Sequence, residues 1–347
     1  MHFFLKEYND MSIGLLRSYL GEESMVDEKL ILASIHGVVI VERDKEGWRE
    51  IVRALEEERP TSVIGHNGLL LAGARSGVYR LTDAGQSWKS ADNGLNVKYV
   101  LWLAAAPDDA TYFAGTEPAS IFISRDGADT WEESAGVVDL REHYRWSLPY
   151  SPEAGCVRGF AFNGGHTYAA VEVGGALHSS DNGSTWELVP GSSGRPFQGQ
   201  PEAAFVHADV RSIEIHPSSP EHVFAQTGGG FYISQDGGAT WNESCHCYCR
   251  AAWVDPEDAQ HIILGPAEFV DRGGRIEMSR DGGETWQTAS DGLDTPWPRT
   301  MVERFTQVGA ELLAMLSNGK VYAARLDGLK WRRILSDVKG VRAIAVI

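Results

Sequence analysis

Cysteine is scarce in this 347-residue chain, with four in all. Three of them, Cys245, Cys247 and Cys249, crowd into the pentapeptide CHCYC, so the chain shows no spaced set of pairs that could staple a secreted fold. No segment approaches the ~18 apolar residues of a membrane helix, which removes that kind of anchor. Runs of five or more Lys or Arg are also missing. With 31 basic against 48 acidic residues and a formal net charge of -17, the chain has little to offer nucleic acid or an anionic membrane. The acidic excess reads as a solvated surface. Residues 1–29 have no basic start followed by an apolar run of secretory length, so the expectation is a cytoplasmic protein. Methionine is rare too, at six, whereas 38 glycines call for many tight turns.

Against these scarcities, tryptophan recurs on a beat. Trp48, Trp88, Trp131, Trp186, Trp241, Trp286 and Trp331 stand 40 to 55 residues apart. Five of them close one octapeptide: LTDAGQSW (Leu81 to Trp88), SRDGADTW (Ser124 to Trp131), SSDNGSTW (Ser179 to Trp186), SQDGGATW (Ser234 to Trp241) and SRDGGETW (Ser279 to Trp286). ERDKEGW and RLDGLKW, ending at Trp48 and Trp331, are decayed copies. A fixed period of this length marks repeated copies of one supersecondary unit. Asp and Gly between β-rich runs signal a hairpin, because the carboxylate caps turn amides while Gly takes the positive φ. The flanking Ser and Thr can hydrogen-bond the same turn. Trp supplies a large apolar surface, expected to receive the next unit.

On these residues the chain resembles the Asp-box, or BNR-repeat, β-propellers, a group that includes sialidases, xyloglucanases, sortilin-type receptors and a photosystem assembly factor family. The resemblance covers nearly the whole chain and implies an all-β, seven-bladed β-propeller with Asp-box turns. It also implies that the box is a structural turn, remote from any active site. The sialidase Arg-Ile-Pro motif is absent, and seven units stand where sialidases have six.

Each unit parses into four short strands. First strands read VRGFAF from Val157, VRSIEI from Val210, CRAAWV from Cys249 and VRAIAV from Val341. The last follows the seventh tryptophan and has no second strand after it, whereas the chain from Leu30 has second and third strands but no clear first. Ring closure resolves both: the C-terminal strand completes the blade begun near residue 29, leaving no open edge. The expected organisation is an N-terminal extension, 1–28, and a single propeller, 29–347.

Arginine recurs at one position of the repeat, the first turn of the innermost strand, as Arg158, Arg211, Arg250 and Arg342; in the seventh unit Glu303 stands there, with Arg304 adjacent. Closure brings these to the mouth of the central channel. There they either cap carbonyls and pair with carboxylates, or grip an anion as two-point forks. Two long inter-blade segments, 132–155 and 187–209, share that face and carry REHYRWSLPY and RPFQGQPEAAFVHAD. They are expected to wall a pocket, with Trp146, His207 and Asp209 beside the arginines. Turns between second and third strands add His36, Arg75, Glu117, Glu172, Gln226 and Glu268. Glu172 and Glu268, with His207, are the candidate catalytic acids and bases.

Two classes of function follow. One is a binding propeller whose loop-rich face takes an anionic small molecule, a glycan or a protein partner; the other is a glycosidase- or lyase-type enzyme at the same mouth. No cofactor motif is present. The CHCYC spacing fits no common zinc site, so reduced thiols without metal are expected.

Overall fold

The computed structural model describes residues 28–82, 87–107, 110–150, 154–196 and 204–347. The expected extension, 1–28, lies outside the described residues except for Glu28, as do residues 83–86 of the second box and 197–203 of the second long segment. Among the described residues, twenty-eight strands form seven four-stranded antiparallel sheets. The innermost strands of blades two to seven are Ser62–His66, Val100–Ala105, Cys156–Asn163, Val210–Ile215, Tyr248–Asp255 and Val302–Val308. Val341–Val346 fills this place in blade one, antiparallel to Lys29–Ser34, and Ile347 N–H donates to Lys29 O at 3.0 Å. Each innermost strand touches the next, and the seventh meets the first, so the sheets close into a ring.

Burial follows from this arrangement. Second strands such as Tyr112–Thr116, Val223–Thr227 and Glu311–Leu316 are covered by neighbouring blades on both faces and are buried throughout. Outer strands such as Glu132–Glu133 and Gln287–Thr288 face water. One apolar cluster lies at each of the seven blade interfaces, and each box tryptophan belongs to one of them. The direction differs from expectation: the ring packs on the preceding blade. Trp131 Nε1 donates to Ala91 O at 2.7 Å, and Trp331 Nε1 to Ala289 O at 2.8 Å. The backbone explains it. Trp131 N–H bonds Asn93 O and Trp331 N–H bonds Asp291 O, both on the connection leaving the previous blade, which fixes the indole on that side.

The box turns are hydrogen-bonded as their residue types demand. Asp181 accepts from Ser179 Oγ at 2.8 Å, Thr185 N–H at 2.9 Å and Thr185 Oγ1 at 2.8 Å, and Asp126, Asp236 and Asp281 repeat the pattern. The Thr130 hydroxyl and amide bring the Asp126 carboxyl down to about 2. These carboxylates are spent on their own turns.

A second regularity concerns the innermost strands. Six of the seven carry a register shift near the start, leaving Leu101, Arg158, Arg211, Arg250, Glu303 and Arg342 without a partner across the ladder. The repeat position read from the sequence is therefore a β-bulge. A bulge twists the strand and re-aims the extra side chain, here toward the channel mouth.

Candidate functional site

Bulge arginines in the sector of blades four to six meet carboxylates. Glu172, at the end of the second strand of blade four (His166–Glu172), is fully buried and pairs with Arg158 and, at 2.9 Å, with Arg211. It also accepts from Tyr150 Oη at 2.6 Å and Cys156 Sγ at 3.2 Å. Burial alone would raise this carboxyl, but the charges of Arg158 and Arg211 outweigh it and hold it below its usual range. Asp209 takes the other edge of Arg211, at 2.7 Å from Nε and 2.9 Å from Nη2. Arg250 pairs with Glu303 at 2.7 Å, and the Tyr248 ring lies between Arg211 and Arg250 at 5.7 and 5.4 Å.

Arg304 does something different. Its Nη1 donates to Arg250 O at 3.0 Å and Glu303 O at 2.9 Å, and its Nη2 to Arg158 O at 3.0 Å and Arg211 O at 3.3 Å. These are the carbonyls of four bulge residues, collected by one guanidinium that stacks on Trp102 at 4.6 Å. Burial lowers the Arg304 pKa to about 10, so it stays cationic at neutral pH. It holds four blades together at the channel axis.

Glu214, on the innermost strand of blade five, lies within reach of that charge. Burial raises its carboxyl from 4.5 to about 8, more than Arg304 lowers it. The folded protein thus holds this proton more tightly than the unfolded chain, and stability falls as pH rises between those two values. Glu214→Gln is expected to match wild type near pH ~5 and to exceed it near pH ~9 in denaturant midpoint. Parallel stability curves for the two proteins would discard this assignment.

Above Arg304 opens a cavity of about 440 Å³, lined in part by Arg59, Arg75, Arg158, Arg250, Arg304 and Arg342. Two carboxylates, Asp271 and Glu303, also line it. On the side of blades one and two, Arg59, Arg75 and Arg342 have no carboxylate partner among the described residues. Arg75 stacks on Tyr99 at 4.6 Å, and Arg342 reaches the Pro60 carbonyl at 3.4 Å. Burial holds the Arg342 pKa below its usual value, and the nearby charges of Arg75 and Arg59 push the same way. The arginines of the mouth are therefore divided: paired with carboxylates on one side, unpaired on the other.

The remaining candidates are scattered. Glu268 is exposed on the connection after the second strand of blade six, 3.8 Å from Arg272, and is not among the residues lining the cavity. His207 accepts Asp209 N–H at 3.2 Å and abuts Gly229; burial lowers its pKa. The first long segment coils into a helix, Val137–Tyr144, which the all-β reading omitted. Trp146 follows it and is a strut where a pocket wall was expected: it is buried, and its Nε1 donates to Gly194 O at 2.6 Å, tying the two long segments together. All four cysteines are free, with Cys249 buried and Cys245 and Cys247 half-buried. Among the described residues no group of three or more His, Cys, Asp or Glu is placed to hold a metal ion. Arg59 and Asp271 were missed. Arg59 ends an EEER run that reads as solvated charge, and Asp271 sits in a loop whose fold no pattern announces.

A family profile for the BNR/Asp-box repeat matches residues 232–243, which hold the Ser234, Asp236, Thr240 and Trp241 turn just described. The chain is a seven-bladed Asp-box β-propeller. No curated protein sequence matches it. Among solved structures, the propeller is similar to the GH74 xyloglucanase of Xanthomonas campestris, at 17% identity over 80% of this chain, with a TM-score of 0.57. It spans 45% of that enzyme's length. It is also similar to YCF48 from Cyanidioschyzon merolae, at 13% identity over 88% of this chain and 98% of that one, with a TM-score of 0.58. At these identities the likeness is one of fold.

Proposed function

We propose that this propeller is a binding protein that holds an anionic ligand in the arginine-lined cavity at its channel mouth, on Arg59, Arg75 and Arg342. The observation that carries this reading is the set of three arginines that share one cavity and enter no ion pair among the described residues, in a chain whose formal net charge is -17. Clustered like charges cost free energy, and an anion would remove that cost. In this reading Arg158, Arg211 and Arg250, with Asp209, Glu172 and Glu303, form the rigid neutral wall that supports the site. Binding is favoured over glycosidase or lyase chemistry by the carboxylates. Glu172 is engaged by two guanidinium groups and Glu268 stands apart in solvent, so the two do not converge on a substrate bond.

Titration calorimetry with citrate, sulfate, inorganic phosphate and benzoate tests the proposal. Arg75→Gln with Arg342→Gln is expected to weaken the best of these by tenfold or more, since a hydrogen bond to a charged group contributes about 1.5 to 3 kcal/mol. Arg211→Ala should instead lower stability and leave the affinity near wild type. If no anion binds wild type, or the double variant binds as wild type does, the reading is wrong.

A further inference from the structure

Opposite the uncompensated arginines stands an uncompensated carboxylate. Asp271 lines the same cavity, and its carboxylate enters no hydrogen bond or ion pair among the described residues; Oδ1 is closed off from solvent, so a ligand would meet the group through Oδ2. Its backbone is in the left-handed region, φ 53°, on a tight turn closed by Arg272 N–H to Phe269 O at 3.0 Å and Glu268 N–H to Arg272 O at 3.0 Å. Arg272, the next residue, turns to Glu268 and not to Asp271. A half-buried carboxylate with no donor, facing a cavity, is a ready acceptor for a cationic group.

The two charge sets also belong to different parts of the ring. Asp271 is on blade six, Arg342 on the innermost strand of blade one and Arg75 on blade two, with blade seven between them. Between these walls Leu101, Trp102, Met315 and Leu316 give the lining an apolar stretch beside the Arg304 guanidinium, in a cavity that is otherwise polar. We infer that the cavity takes a zwitterion: an anionic group on Arg59, Arg75 and Arg342, an apolar spacer over the Trp102 and Leu316 surface, and an ammonium donating to Asp271. This inference rests on the anion-binding function proposed above and specifies its ligand class. Each end of such a molecule supplies the partner that one wall lacks, and a volume of about 440 Å³ falls in the usual range for small-molecule sites.

Matched probes test it on the full chain: ω-aminocarboxylates with three to seven methylenes, and plain carboxylates of the same lengths, titrated calorimetrically near neutral pH. At the length that spans the cavity, the amino form is expected to bind at least tenfold tighter than its plain counterpart. Asp271→Asn should abolish that preference while the plain carboxylate binds at least as tightly as to wild type, since a like charge is removed from the cavity; Asn tolerates the left-handed backbone, so the turn should persist. Arg342→Gln should weaken both series alike. Equal affinity for the two series in wild type, or a preference that survives Asp271→Asn, would overturn the zwitterion and leave the anion site standing. Failure of both series and of the inorganic anions would remove the anion site, and the zwitterion with it.

Discussion

Arg304→Leu is expected to destabilise the propeller by about 3 to 5 kcal/mol, the range seen when one partner is removed from a buried charged network. Four carbonyl oxygens, on Arg158, Arg211, Arg250 and Glu303, converge on this guanidinium because each bulge has taken its residue out of the ladder. A leucine leaves all four without a donor and loses the stacking on Trp102. Arg304→Lys should fall between, since an ammonium keeps the charge but cannot spread donors across four acceptors in one plane. Denaturant midpoints at constant slope give the comparison. A leucine variant within about 0.5 kcal/mol of wild type, the scatter of an ordinary surface substitution, would show that the hub does not hold the blades.

Removing residues 341–347 should have the larger effect, with loss of the soluble monomer. That segment is the innermost strand of blade one, and without it Lys29–Ser34 becomes an open edge. Leu30, Ile31, Leu32 and Ala33 are wholly buried in the closed ring, and Val341 and Ala343 pack into the two interfaces that flank blade one. The deletion therefore exposes an apolar strand and loosens two of seven interfaces together, and a ring cannot confine such damage to one blade. Size-exclusion chromatography with light scattering reads the outcome. A truncated chain that stays monomeric with an unaltered unfolding midpoint would show that closure by this strand is dispensable.

Much of the fold and part of the site could be read from residues alone, because they depend on local chemistry repeated at a fixed period. The Ser, Asp and Thr of the boxes at Asp126, Asp181, Asp236 and Asp281 make their hydrogen bonds within a few residues, so those turns follow from their own sequence. Seven copies and an orphan strand beginning at Val341 then require a closed ring. The bulge position was visible for the same reason, since Arg158, Arg211, Arg250, Glu303 and Arg342 occupy one place in the repeat. What each bulge residue meets was not visible. Arg211 finds Glu172, 39 positions earlier, while Arg342 finds Arg75 and Arg59. Identical positions in the repeat therefore carry opposite electrostatic fates, because a propeller brings loops from distant blades to one mouth and charge balance there is a sum over all of them. Arg304 shows the same limit most clearly. Its neighbours in sequence say nothing of the carbonyls on blades four, five and six that it binds, and only closure of the ring places them around one guanidinium.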